Sequence, residues 1–249
     1  MSNVVILVPI YKNSLDTLES YALDHSLSVL IGRKILFIGS EQLDRQYYSE
    51  HYPAIPFVAY DAVYFASVVG YNQLLLSKAF YNAYAAYEFM LILQTDAIVL
   101  KDDLDYWCAQ PFDYVGAPWP DGYELFVNLG RFEGEYGNKV KVFVGNGGLS
   151  LRRVGKCLTL LDEFDVAVDV FTRSGSSEDL FFSVMGSLSG DFVIPNQMTA
   201  ARFSLEKKPS YYYAVNGNKL PMGGHAWCKW EPEFWREHLT DMPLLSSQA

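Results

Sequence analysis

Val4-Val5-Ile6-Leu7-Val8-Pro9 decides the class of fold. It is an unbroken apolar run, rich in β-branched residues and closed by a proline. A strand buried on one face alternates apolar and polar residues. A strand with no alternation is buried on both faces, as in a parallel sheet. Downstream, Asn13 or Ser14 is placed to cap a helix whose apolar positions, Leu15, Leu18, Ala22, Val29 and Leu30, follow helical spacing. Lys34-Ile35-Leu36-Phe37-Ile38-Gly39 is a second buried run. Strand, helix and strand in this order predict a right-handed βαβ unit.

The same texture continues. Tyr71 to Glu88 reads as one long helix, free of Gly and Pro, with Leu74, Leu75, Lys78 and Ala79 within it. Phe89-Met90-Leu91-Ile92-Leu93 is a third buried strand that stops at Gln94-Thr95-Asp96. Polar residues at the carboxyl end of a parallel strand sit where open α/β sheets bind ligands. Beyond residue 110 the texture changes, with Pro111, Pro118 and Pro120 and a Gly-rich, polar stretch from Gly122 to Asn138 that reads as a loop or excursion. Val142-Phe143-Val144 returns to strand character, Gly155 to Leu161 and Glu178 to Met185 are helices, and the tail after Ala214 is expected to wrap the surface. The expectation is a single α/β domain over residues 1–249, with a mostly parallel central sheet flanked by helices.

Composition narrows the function. The chain has 249 residues, is 50% hydrophobic and carries a net charge of -10. Its length and apolar content exclude disorder. The acidic balance argues against a nucleic-acid partner and against adhesion to an anionic bilayer as the main activity. Cys108, Cys157 and Cys228 form no CxxC pair and suit a reduced compartment. Val4–Ile10 is too short for a membrane span and has the wrong flank for a signal peptide. No transmembrane segment is read, and the location expected is cytoplasmic, free or peripheral at the inner face of the membrane.

Four stretches could carry chemistry, and the first three have a plainer reading. Asp96 could hold a divalent cation that bridges nucleotide phosphates, or cap the turn that follows it. His225, in Gly223-Gly224-His225-Ala226-Trp227, could complete a metal site or meet a phosphate, or be an exposed turn residue. Glu178-Asp179 could offer a general base, or two carboxylates on the positive end of a helix. Gly145-Asn146-Gly147-Gly148 marks a tight backbone pass that could lie beneath a sugar. The dinucleotide fingerprint, the Walker A loop and the GxSxG elbow are all absent from the sequence.

Taken together and in order, Tyr71-Asn72-Gln73-Leu74-Leu75-Leu76-Ser77, Gln94-Thr95-Asp96-Ala97, Asp113-Tyr114-Val115-Gly116-Ala117-Pro118-Trp119, Val144-Gly145-Asn146-Gly147-Gly148-Leu149-Ser150-Leu151-Arg152, Glu178-Asp179 and Gly224-His225-Ala226-Trp227 resemble glycosyltransferases of the GT-A type. More narrowly, the chain resembles a bacterial GT-A-like family carried as a domain of unknown function. The resemblance implies a donor half at 1–110 and an acceptor and catalytic half at 111–249. It places Asp96 at the last position of a DxD motif, where Gln94 replaces the first acid, and makes Asp96 and His225 ligands of Mn²⁺ or Mg²⁺. It implies that Pro9, Ile10 and Tyr11 line the base and ribose, that Gln94 bonds a ribose hydroxyl or metal-bound water, and that Tyr71, Asn72, Lys78 and Thr95 border the donor. Lys78, sharing a helix face with Tyr71, and Arg152 are the cations available to the diphosphate. Gly147 and Gly148 resemble the sugar-side glycine pair, Asp179 the catalytic base and Glu178 its sugar-binding neighbour.

The function implied is transfer of a sugar from a nucleotide-sugar, a UDP-sugar, to a hydroxyl of a saccharide or lipid-linked saccharide in polysaccharide or glycoconjugate synthesis. Inversion is expected, with retention the alternative, because fold likeness does not fix stereochemistry. The competing functions are a sugar nucleotidyltransferase and a non-catalytic sugar- or nucleotide-binding module.

Overall fold

Val4–Ile10 forms strand β1, and all seven of its residues are buried. The computed structural model describes residues 2–126, 139–240 and 242–243. After β1 the order is α1 (Thr17–Val29), β2 (Lys34–Ser40), α2 (Gln46–His51), β3 (Phe57–Tyr60), α3 (Val68–Leu75), α4 (Lys78–Ala83), β4 (Phe89–Leu93), β5 (Ala97–Val99) and α5 (Leu104–Cys108). Then come β6 (Tyr114–Val115), β7 (Pro118–Phe126), β8 (Lys139–Val144), β9 (Leu149–Arg153), α6 (Val154–Glu163), α7 (Asp165–Ser174) and α8 (Glu178–Leu188). The chain continues through α9 (Gln197–Phe203), β10 (Ser204–Leu205), α10 (Pro209–Val215), β11 (Gly223–His225) and α11 (Pro232–His238).

The central sheet has the order β3-β2-β1-β4-β9-β6. β1 pairs in parallel with β2, Val5 opposite Lys34, and with β4, Val4 opposite Phe89. β9 runs antiparallel to β4, with Leu93 opposite Leu149. Two small sheets complete the fold: β10-β11-β5 and the β7-β8 hairpin. The apolar runs are continuous because both faces are covered. Val5 and Leu7 pack with Tyr71, Leu74 and Phe182, whereas Val4, Ile6 and Val8 pack with Leu23, Leu30 and Phe203.

Three local readings need correction. The α1 cap is Asp16, not Asn13 or Ser14: its carboxylate accepts from the Leu18 and Glu19 backbone, and Glu19 answers on the Asp16 N–H. The helix from Tyr71 to Glu88 is two short helices. Ser77 breaks it by accepting from the Phe80 N–H and starting α4, so Tyr71 and Lys78 do not share a helix. The tail after Ala214 is not a surface wrap. Trp227 and Trp235 are fully buried in a third core cluster with Ile98 and Leu205, and β11 pairs with β5 and β10. Of the excursion expected from Gly122 to Asn138, residues up to Phe126 extend β7, and 127–138 lie outside the described residues.

Candidate active site

Strand order reverses between β1, whose chain moves on to β2, and β4 on its other side. Such a switch point opens a crevice at the carboxyl ends of the strands. Here those ends are Tyr11 and Gln94-Thr95-Asp96, and two clefts meet there. One, about 310 Å³, is bordered by Lys12, Glu19, Asp96, Trp227 and Lys229. The other, about 390 Å³, is bordered by Phe65, Ser67, Val68 and Tyr71. Tyr11 and Gln94 line both.

The charged corner of the first cleft is built by β11. Pairing of His225 with Ala97 sets the imidazole beside Asp96, with Nε2 3.2 Å from Oδ1. The same Nε2 lies 3.1 Å from Gln94 Oε1, and Nδ1 lies 3.7 Å from a Glu206 carboxylate oxygen. Lys229 Nζ is 3.2 Å from Asp96 Oδ2. Burial opposes charge on His225, but Asp96 and Glu206 outweigh it and raise its pKa to about 9. Burial likewise opposes the Asp96 carboxylate, but His225 and Lys229 hold it well below the usual range. Gly148 makes the corner possible, since a Cβ there would stand 2.1 Å from His225 Nε2. Its carbonyl accepts from the Gln94 N–H at 2.8 Å.

The second carboxylate pair lies beyond the glycines. Asp179 Oδ2 accepts from the Gly147 N–H at 3.2 Å. Glu178 is sealed in: Arg152 binds it through both terminal nitrogens, at 2.8 and 2.9 Å. Arg152, itself fully buried, also donates to Tyr81 and Ser150. Burial pushes the Glu178 carboxyl up, with Arg152 opposing. A Cβ on Gly147 would stand 2.2 Å from Glu178 Oε1.

The expected site residues therefore divide. Tyr11, Tyr71, Gln94, Thr95, Asp96 and His225 gather around the clefts, and Gly147, Gly148 and Asp179 adjoin them. Pro9 and Ile10 are buried within β1, and Tyr11 is the residue that reaches the opening. Asn72 spends its Oδ1 on the Glu178 N–H at 3.2 Å, holding the first turn of α8. Lys78 points to α6, where it pairs with Asp162, and lines neither cleft. Glu178 and Arg152 saturate one another, so neither is free for sugar or diphosphate. The sequence reading missed Lys229 and Glu206. Lys229 carried one signal, a cation four residues after His225; Glu206 carried none, because it meets His225 through the β10-β11 pairing.

Among the described residues no three His, Cys, Asp or Glu side chains converge as a metal cage. Asp96 and His225, with Gln94 Oε1, still make a usable donor set. Neighbouring ligands of a six-coordinate ion stand about 3 Å apart, close to the 3.1 and 3.2 Å found here. Oxygen and imidazole donors fit a divalent cation that takes its other ligands from phosphate and water.

Solved structures share this architecture. A crystal structure of an active-site mutant of LgtC matches with a TM-score of 0.55 at 15% identity, covering 98% of both chains. The galactosyltransferase LgtC, solved with donor and acceptor sugar analogues, matches at 0.52 and 14%, again over 98% of both. The glycosyltransferase GlyE of Streptococcus pneumoniae TIGR4 matches at 0.50 and 13%, over 97% of this chain and 61% of its own. At these identities the likeness is one of fold, and the fold is the GT-A type. No protein with curated annotation matches in sequence. A family model matches residues 54–225, from β3's approach to His225 itself, and the chain belongs to that family, described as a protein of unknown function (DUF5672).

Proposed function

We propose that this protein is a glycosyltransferase that moves a sugar from a nucleotide-sugar, a UDP-sugar, to a hydroxyl of a saccharide or lipid-linked saccharide. The observation that carries the reading is the convergence of Asp96, His225, Gln94 and Lys229 at the switch-point crevice, with Asp179 beyond the Gly147-Gly148 turn. The GT-A fold supports it.

Each residue then has a task. The Tyr11 ring, 40% exposed and braced edge-on by Tyr71 at 5.3 Å, offers a face for the nucleobase. Lys229 meets the diphosphate, exchanging Asp96 for a phosphate oxygen. Asp96, His225 and Gln94 hold Mn²⁺ or Mg²⁺, which when bound draws charge off the leaving diphosphate. Holding it requires His225 to give up its proton. Asp179 accepts the proton of the acceptor hydroxyl as that oxygen attacks the anomeric carbon. In an inverting transfer this carboxylate stands opposite the leaving group. Glu178 binds no sugar; with Arg152 it fixes the turn of α8 that carries Asp179.

Calorimetric titration with UDP, with and without Mn²⁺, tests the donor site. Binding that needs both the ion and Asp96 is expected, and Asp96→Ala abolishes it. No UDP binding under either condition would overturn the reading. Turnover of a UDP-sugar should be lost in Asp179→Asn with donor binding kept. The anomeric configuration of the product, read by NMR, decides between inversion and retention.

A further inference from the structure

We propose a second anion site, separate from the crevice at Gln94: the cleft between α5, the end of α9 and the loop after α10 binds a phosphate group. This cleft, about 440 Å³, gathers Lys101, Arg202 and Lys219 with the Asn216 amide. Trp107 and Tyr106 form its wall and rim.

Three cations face one carboxylate. Asp103 pairs with Lys101 at 2.7 Å. Among the described residues neither Arg202 nor Lys219 has a carboxylate partner. Their convergence is unusual in a chain of net charge -10, where acidic neighbours are plentiful. Like charges drawn to one concavity raise its potential and concentrate a counter-ion there. A planar Arg fork beside two Lys ammonium groups suits the oxygens of a phosphate. The buried indole N–H of Trp107, in the same wall, has no acceptor among the described residues.

The cleft lies at the far end of the small sheet that carries Asp96. His225 stands opposite Ala97 near the candidate active site, whereas Gly223 stands opposite Val99, and the Lys101 N–H donates to the Met222 carbonyl beyond it. Five residues of extended chain separate Asp96 from Lys101, about 16 Å. None of the residues lining this cleft lines the crevice at Gln94. The phosphate could belong to a lipid headgroup or to a soluble phosphate ester. The chemistry of recognition is shared, and Tyr106, 57% exposed at the rim, is placed for either.

The test titrates the full chain with inorganic phosphate at constant ionic strength, with chloride as the balancing anion. Saturable binding is expected, weakened about tenfold or more in Arg202→Ala/Lys219→Ala and unchanged in Asp96→Ala/Lys229→Ala. The second variant keeps this site distinct from the donor site, so the two can fail separately. Both altered cations of the first variant are exposed, and an unchanged melting temperature verifies its fold. Sedimentation with vesicles of phosphatidylcholine, with and without phosphatidylglycerol, then assigns the source. Binding to the anionic vesicles that the Arg202/Lys219 variant loses supports a lipid headgroup; phosphate binding without vesicle binding supports a soluble ester. No saturable phosphate binding, or binding indifferent to Arg202→Ala/Lys219→Ala, would overturn the proposal.

Discussion

Asp96 and Glu178 are both acids held by cations at the edge of the same glycine turn, yet they are opposites. The Asp96 side chain is 26% exposed, and its partner Lys229 is 66% exposed. The Glu178 side chain is 4% exposed and its partner Arg152 is 0%. The first pair can trade partners with a ligand, because water and ions reach both groups. The second cannot, because separating it would strand a charge in the core. The difference teaches which acid is open to exchange and which one builds. Gly148 fits against the exchangeable side and Gly147 against the fixed one.

That contrast can be broken or sharpened by experiment. The largest effect is expected from Arg152→Ala, which leaves Glu178 buried and unpaired: about 3–5 kcal/mol of stability lost in urea unfolding. Arg152→Met with Glu178→Leu should lose less than the single change. A single variant as stable as the parent would mean that Glu178 is not sealed at all.

The glycines come next. Gly147→Ala presses on a carboxylate that cannot move and should cost about 1–3 kcal/mol, read by thermal unfolding. Gly148→Ala presses on an imidazole that can swing outwards. It should spare most of the stability but weaken Mn²⁺-dependent UDP binding by about tenfold or more. The reverse pattern would exchange the roles assigned to the two sides.

A pH titration separates them further. The folded pKa of His225 is raised to about 9 from an unfolded value near 6.5. Its ion pairs therefore contribute in full below about pH 6.5, and the contribution is lost as pH rises through 9. In EDTA the unfolding free energy from urea titration should fall across that window by about 1–3 kcal/mol, and His225→Gln should flatten the fall. The smallest effect belongs to Lys78→Ala, which removes an exposed pair with Asp162. It should cost less than about 0.5 kcal/mol and leave transfer unchanged.

Much of the frame was legible in the sequence, because β1, β2 and β4 are covered on both sides and read as unbroken apolar runs. Lys78 was misplaced because helical spacing runs on through Ser77, while the break depends on a side-chain cap that periodicity does not register. Arg152 was legible only as a cation. That a strand buries it whole follows from Glu178, 26 residues away. The tail misled for another reason: Gly223-Gly224 carries no periodic signal, yet Trp235 packs where a Gly224 side chain would sit. Lys229 and Glu206 owe their places to strand pairing, which no local window contains.

The pairing of β5 with β11 also sets an order of events during synthesis. Asp96 leaves the ribosome long before His225 and Lys229, and β4 waits for β9 with one edge unpaired. At ~5–20 residues per second, the gap from Asp96 to Lys229 takes roughly 7–27 s. Until β9 is made, in the first half of that interval, the nascent chain carries an apolar strand edge that chaperones or stray strands can occupy, and throughout it Asp96 stands without its counter-charges. The charged corner of the crevice closes last, so any competence to bind a donor there arrives after nearly all of the scaffold has been made.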